Sequence, residues 1–335
     1  MERTIEQDRY KSRVLICNFL MKKLKKIKGD ASFRKFYRKK NNHSTSIIVF
    51  AKKEKFKNLL VYDAINKILN KNKILAPKLY KENYVKNYIE MQDFGNETVF
   101  NRLNKKKINK FNYFKKIINL LNKIQSIKDR KIKNFRNKNY IIPKYNKKIL
   151  MNEANLFCDW YVKKKLSKSN KDEFSKKYKK IIKQLILSLK LKNNFFVHRD
   201  FHVSNLMIVS KRIGLIDSQD ALIGNRAYDL ASLIDDVRLA SSKSLKNKIF
   251  KFYIKKQKKL DIQKFKNDFE ILSILRNLKI IGVFTRLAIR DGKKSYLKMI
   301  PYTWELIRMR INDNKVFQDL KKLLNQYFKK NLNEN

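Results

Sequence analysis

Between Phe195 and Leu230 the sequence gathers side chains able to accept a proton and to hold a divalent cation. An apolar run, Phe195-Phe196-Val197, leads into His198-Arg199-Asp200, and Asn205 follows after four intervening residues. Two further apolar runs, Leu206–Val209 and Ile213–Ile216, flank Ser210-Lys211-Arg212, and the second ends at Asp217. Tyr228-Asp229-Leu230 closes the stretch. The chain has three histidines, and two of them, His198 and His202, lie here. A carboxylate just past an apolar strand can take the proton of an attacking hydroxyl. A carboxamide five residues on, and a second carboxylate at the end of the next hairpin, are hard oxygen donors of the kind Mg²⁺ takes.

ATP-dependent phosphoryl transfer asks for this division of labour. Its transition state is loose, so positioning and charge neutralisation do most of the work. The order H-R-D-x-x-x-x-N is that of the catalytic loop in the protein-kinase fold, with the Asp as base and the Asn as metal ligand. Asp200 is then the base, Asn205 and Asp217 hold Mg²⁺, and ATP donates the phosphate. His198 supports the loop. Asp229, at a helix start, braces the loop rather than touching substrate. An H-x-D triplet alone would be a weak sign, since solvated loops carry many. The ordered set through Asp229 is much more specific.

Four segments carry a family resemblance: GDASFRKFYR at 29–38, VHRDFHVSNLM at 197–207, GLIDSQDALIGNRAYDLASL at 214–233 and GVFTRLAIRDGKKSYL at 282–297. They resemble the aminoglycoside-phosphotransferase-like branch of the kinase fold. Within it they are most similar to the bacterial anomeric kinases of N-acetylmuramate and N-acetylglucosamine. The second segment is shared across the superfamily, whereas the first and fourth are more particular to the sugar kinases. Ser218 departs from the pattern, because the family usually has an apolar or aromatic residue there; altered packing under the metal loop is expected.

Composition bounds the rest. With 335 residues and 43% hydrophobic content the chain can bury a large core. The two cysteines, Cys17 and Cys158, have no metal-like spacing, and the charged N-terminus lacks an apolar signal segment. A reducing, cytoplasmic setting is expected. No run of about 18 apolar residues occurs, so no membrane span is expected. Lys and Arg number 82 against 29 Asp and Glu, a formal charge of +53. Lysine is spread over almost every segment, which reads as a bias of the whole chain. It argues for salt-sensitive stickiness to polyanions, not for a specific nucleic-acid partner.

The elements that must position the site follow from periodicity. Residues 16–27 have helical spacing. Residues 33–37 and 46–52 read as strands, 54–70 as a helix and 88–91 as a strand. From Thr98 on the pattern is helical outside the catalytic stretch: 111–127, 149–166, 176–191, 227–240, 245–253, 265–290, 296–310 and 316–328. Residues 134–147 read as a basic connection. The expected class is α+β, a bilobal kinase-like fold with a small β-rich N-lobe (1–93) and a large helical C-lobe (94–335), its active site between them. The backbone of Ala31, Ser32 and Phe33 could cradle phosphate. The phosphate cation is left open among Lys52, its neighbours Lys53 and Lys55, and Arg34. Glu90 and Met91 fall where the fold places adenine contacts. Asp93-Phe94-Gly95 spells D-F-G but precedes the H-R-D loop, so it is not the metal motif.

For the acceptor, Glu153, Asp159 and Trp160 on one helix are candidates, as are Arg286, Arg290 and Asp291. A carboxylate can bind two sugar hydroxyls, and an indole can pack on pyranose C–H bonds. Glu153 as a solvated charge and Trp160 as core are equal alternatives. So basic a chain suits the carboxylate of N-acetylmuramate better than a polycationic aminoglycoside. The resemblance implies a sugar 1-phosphate product, made for cell-wall recycling and passed to a nucleotidyltransferase. The alternatives are another small-molecule kinase of the branch, for an aminoglycoside, choline or ethanolamine or a different sugar, and a catalytically idle kinase-like scaffold that binds nucleic acid.

Overall fold

The computed structural model describes residues 24–27, 34–40, 44–51, 57–105, 108–312 and 314–332. In chain order come β1 (Lys25–Ile27), β2 (Lys35–Lys40), β3 (Thr45–Phe50), α1 (Lys57–Lys71), β4 (Leu79–Asn83) and β5 (Tyr88–Gln92). Then follow α2 (Val99–Leu103), α3 (Lys110–Gln125), β6 (Lys131–Lys133), β7 (Asn139–Ile141), α4 (Lys147–Leu156) and α5 (Lys168–Leu187). The catalytic stretch supplies β8 (Asn193–Val197), β9 (Leu206–Val209), β10 (Arg212–Leu215) and β11 (Leu222–Asn225). Helices α6 (Ala227–Ile234), α7 (Lys243–Lys255), α8 (Ile262–Arg290), α9 (Ile300–Ile311) and α10 (Gln318–Leu332) complete it. No helix among the described residues is long and apolar enough to cross a membrane.

One compact unit takes the described residues through Thr98 together with Asp129–Ile141 and Leu206–Gln219. Its sheet has five antiparallel strands in the order β1-β2-β3-β5-β4. Successive strand residues point to opposite faces. Val49 and Ile47 therefore join Leu59 and Tyr62 of α1, with Ile89 and Met91, in one cluster, while Ile48 and Phe50 meet Tyr37 on the other face. The unit is not a contiguous N-terminal block, unlike the 1–93 lobe expected from sequence. The β9–β10 hairpin belongs to it because Ile208 N–H donates to Glu97 O and Leu215 N–H to Leu75 O, both at 2.8 Å. Gly214 leaves room for Phe94, whose ring would lie 2.7 Å from an added Cβ.

The second unit takes Val99–Lys128, Ile142–Asn205 and Asp220–Asn335. Helix α8 runs through its core and packs against α4, α6, α9 and residues 157–162. Buried residues occur all around α8, as expected for a central helix. At Gly282 the approach is backbone to backbone: a Cβ there would lie 2.2 Å from the Leu156 carbonyl oxygen. The chain at that point passes from α4 into a π-helical segment, Phe157–Val162. Phe157 sits in an aromatic cluster with Tyr161, Phe174, Tyr178, Trp304 and Phe328. Asp235, fully buried, accepts two hydrogen bonds from Arg310 (2.9 and 3.0 Å), one from Ser273 (2.6 Å) and one from Lys246 (3.2 Å). It thereby ties the end of α6 to α7, α8 and α9.

Three local expectations are corrected. Residues 25–27, the described end of the helix expected over 16–27, form an edge strand paired to Arg38, Tyr37 and Phe36. Pairing to β2 overrides a short helical pattern there. Residues 134–141, expected to be part of a basic connection, form the β6–β7 hairpin together with 131–133. Its turn is built by Asn134, whose Oδ1 accepts from Arg136 and Lys138 N–H, and by Asn137 at φ +55°. Strand β4 follows Pro77 where no element was expected.

Gly282→Ala should lower stability by about 2 kcal/mol or more, since rigid backbone faces the new methyl. The urea midpoint measures it. A variant as stable as the parent would mean that α8 can move off residues 156–157 at no cost.

Candidate active site

In the second unit β8 pairs with β11, Val197 opposite Leu222, and then leaves the ladder at His198. The two N–H groups freed there, of His198 and Arg199, donate to the Asp229 carboxylate at 2.7 and 3.0 Å. Asp229 is buried at the start of α6, and burial pushes its pKa up to about 7 although both N–H donors favour the anion. Arg199 adopts φ +73°, left-handed geometry uncommon for a side chain of this size. The loop then closes on itself: His202 N–H donates to Asp200 O, and Asn205 N–H to His202 O, both at 3.0 Å. Asp236 takes the Val203 N–H at 3.1 Å.

The Asp200 carboxylate is half-buried and has no hydrogen bond or ion pair among the described residues. Its backbone carbonyl accepts the Asn205 side-chain amide at 3.0 Å, and the same amide lies 3.3 Å from His202 Nε2. Burial, with the cations of Arg238 and Arg276, holds the His202 pKa well below the usual value. The neutral ring can accept that hydrogen. With its nitrogen engaged twice, Asn205 has its oxygen left for a cation.

Glu153 is the second carboxylate that organises this loop. One oxygen accepts from Arg199 and from Lys279, the latter at 2.9 Å, and the other accepts from the Tyr145 hydroxyl. Arg199 also donates to Asp220 O at 3.3 Å and lies over the Tyr145 ring. Burial disfavours the Glu153 anion, but Lys279 and Arg199 outweigh it and hold the pKa at about 2. The carboxylate proposed for sugar hydroxyls is thus occupied by three protein donors.

In the first unit Asp217 follows the β9–β10 hairpin, in which Ser210 and Lys211 both have φ above zero. Asp217 itself has φ +61°. Its carboxylate accepts from Arg34 at 2.7 Å. The Arg34 guanidinium is sandwiched near the Tyr62 and Phe36 rings, at 5.4 and 5.6 Å. The Tyr62 hydroxyl, pushed up to about 12 mainly by burial, bonds the Asp217 backbone. Ser218 is buried and donates to Asn66 Oδ1 on α1 at 2.6 Å, so the polar residue under the metal loop has a polar partner.

The remaining candidates lie as follows. Ala31, Ser32, Phe33 and Lys52 fall outside the described residues. Met91 is in the sheet core, and Glu90 accepts from Ser46 and Lys39; both have their main chain in β5, flanked by β3 and β4. Asp93-Phe94-Gly95 is a turn, with Asp93 held by Arg38 and capping Gly95 N–H. His198 is fully buried against Phe201. Asp159 is exposed and Trp160 half-buried, in the π-helical segment. Asp291 pairs with its neighbour Arg290, and the half-buried Arg286 has its Nε enclosed. Sequence reasoning missed Tyr145 and Lys279. The signal for Lys279 was a lone cation in the apolar run Leu278–Phe284.

By donor type alone, the Asn205 amide oxygen in the second unit and the Asp217 carboxylate in the first each suit a hard divalent cation. No group of three or more His, Cys, Asp or Glu able to hold a metal occurs among the described residues.

Solved structures share this architecture. The gentamicin complex of aminoglycoside phosphotransferase APH(2")-IIa is 14% identical, with 89% of this chain and 93% of that one covered, at a TM-score of 0.61. A Plasmodium vivax ethanolamine kinase is 14% identical, with 86% and 84% covered, at 0.58. The fold is therefore kinase-like α+β, with a five-stranded sheet in its N-terminal part and a mostly helical remainder. Residues 23–260 match the phosphotransferase enzyme family, to which the chain belongs. Curated relatives named N-acetylmuramate/N-acetylglucosamine kinase are similar to it. The one from Neisseria meningitidis is 32% identical over 167 residues, 48% of this chain and 50% of the relative. The one from Pseudomonas putida is 25% identical over 279 residues, 82% and 79%. In the Neisseria match, and in one from Pseudomonas aeruginosa at 56%, the chain spans about half the relative's length.

Because Glu153 titrates at about 2 instead of 4.5, its contribution to folding is present above pH 4.5 and drains away as pH falls toward 2. A depression of that size is worth on the order of 3 kcal/mol. Glu153→Gln should flatten the acid limb of unfolding free energy between about pH 5 and 2, measured by urea melts at several pH values. An acid limb as steep as the parent's would contradict the ion-pair assignment.

Proposed function

We propose that the chain transfers the γ-phosphate of ATP to the anomeric hydroxyl of an amino sugar, N-acetylmuramate or N-acetylglucosamine. The observation that carries this reading is Asp200: a half-buried carboxylate without a side-chain partner among the described residues, on a loop braced by Asp229 and closed by Asn205. In the reaction the sugar C1 oxygen attacks the γ-phosphorus, its proton passes to Asp200, and the bond from phosphorus to the β,γ-bridging oxygen breaks. ADP leaves, and the product is the sugar 1-phosphate. Asn205 and Asp217 would hold Mg²⁺, which when bound neutralises phosphate charge. Arg34 supplies a fixed cation next to Asp217. The names of the relatives support the acceptor class, and so does the strongly basic chain for an acceptor bearing a carboxylate. The product's chemistry suits a nucleotidyltransferase that consumes sugar 1-phosphates.

Phosphate transfer from ATP should be measured against a panel of amino sugars, aminoglycosides and choline, with the phosphate position read by ³¹P NMR. A 1-phosphate of an N-acetylated amino sugar is expected; transfer only to another hydroxyl or another acceptor overturns the assignment. Asp200→Asn should cut acceptor-dependent turnover by at least about 10²-fold while ATP still binds. Near-parental turnover in that variant removes Asp200 from its role. Asp217→Asn should weaken Mg²⁺-dependent nucleotide binding, measured by calorimetry at several Mg²⁺ concentrations.

A further inference from the structure

We propose that Glu153 and Lys279 are positioning residues for phosphotransfer, fixing the backbone that carries Asp200 by holding the Arg199 side chain. The inference rests on the phosphotransferase reading of Asp200.

Arg199 immediately precedes the base and has a left-handed backbone. For a residue with a long side chain that geometry costs roughly 1 kcal/mol or more, so something must hold it. Its main chain is held by Asp229 at 3.0 Å. Its guanidinium is held by Glu153, by Asp220 O at 3.3 Å and against the Tyr145 ring. Residue 199 is therefore gripped at both ends, and the direction in which the chain leaves toward Asp200 is set by the two grips.

Glu153 cannot hold Arg199 unless it is held in turn. Lys279, from α8, donates to the same oxygen at 2.9 Å, and the Tyr145 hydroxyl donates to the other. Tyr145 is anchored by its N–H to Ile223 O at 2.8 Å and by its ring against Tyr228. Three separate stretches, 145–153 with α4, the catalytic loop and α8, thus meet at one carboxylate. The side chains of Arg199, Lys279 and Glu153 retain 19%, 18% and 12% exposure, so the cluster borders solvent. Desolvation offsets part of the attraction between two cations and one anion, although at Glu153 the balance favours the anion. The cluster also acts on geometry: it removes the freedom of the residue next to the base. Lysine 279 also brings a cation to the electrostatic surroundings of Asp200.

The test compares Glu153→Gln, Lys279→Met and Lys279→Arg in the full chain. Readouts are kcat and KM for ATP with N-acetylglucosamine as acceptor, urea stability, and hydrogen exchange over residues 198–205. Lys279→Met and Glu153→Gln are expected to lower kcat by about 10- to 100-fold, the scale of a displaced catalytic group, with KM for ATP nearly unchanged. Lys279→Arg, which still offers N–H donors to Glu153, should recover most of the loss. Exchange over 198–205 should quicken in the two disruptive variants at a urea midpoint that leaves the protein fully folded. Parental kcat in both variants overturns the proposal. So does a kcat loss that Lys279→Arg fails to recover, or one matched by an equal rise in KM for ATP. If the parent itself phosphorylates no acceptor, the phosphotransferase reading fails separately. Exchange then decides whether the cluster positions the loop: faster exchange supports that and unchanged protection refutes it.

Discussion

One buried carboxylate receives the chain as it leaves the β8–β11 ladder. Strand pairing satisfies Val197 and the residues before it, but His198 and Arg199 have no strand opposite them. Asp229 accepts both N–H groups. Each buried donor left unmade would cost about 1–3 kcal/mol, so this contact decides whether the chain can turn there at all. The later parts of the loop, the Asp200–Asn205 closure and the Asp236 contact to Val203, start from that turn. Helix α6 carries Asp229 at its first turn and Asp235 at its end, and Asp235 is pinned by Arg310, Lys246 and Ser273. The brace is therefore itself braced from the far side of the helical unit.

Two carboxylates around the loop are set apart by their surroundings. Asp229 meets backbone N–H groups in a dry site and is pushed up to about 7. Glu153 meets Lys279 and Arg199 and is held down at about 2, despite its burial. Asp200, between them in function, is the one whose oxygens no described residue claims. The ion pairs around this loop are few and specific.

The stretch from 195 to 217 was legible as short apolar runs separated by polar loops, and these runs form β8, β9 and β10, with His198, Asp200 and Asn205 in the loop between β8 and β9. The long amphipathic and central helices were readable from periodicity, but their ends less so: α5 starts at 168 instead of 176, and α6 ends at 234 instead of 240. The misses have physical causes. Strand β1 has three residues and exists only through pairing with β2, which no local pattern reveals. The β6–β7 hairpin turns on Asn134 and Asn137 without a glycine. Glu153 was expected to be either a ligand for sugar hydroxyls or a solvated charge, because its partners Lys279 and Tyr145 lie 126 and 8 residues away and sequence spacing does not reveal those contacts. Ser218 looked like a defect under the metal loop until Asn66 supplied its acceptor.

Gly282 stands one helical turn beyond Lys279 on α8. The missing methyl lets α8 press onto the Leu156–Phe157 backbone, and Glu153 is one turn before Leu156 on α4. The gap between two helix axes therefore doubles as a gauge for the reach of an ammonium group to its carboxylate. Packing defects on this seam will therefore reach the Lys279–Glu153–Arg199 contacts as well as the stability of the helix pair.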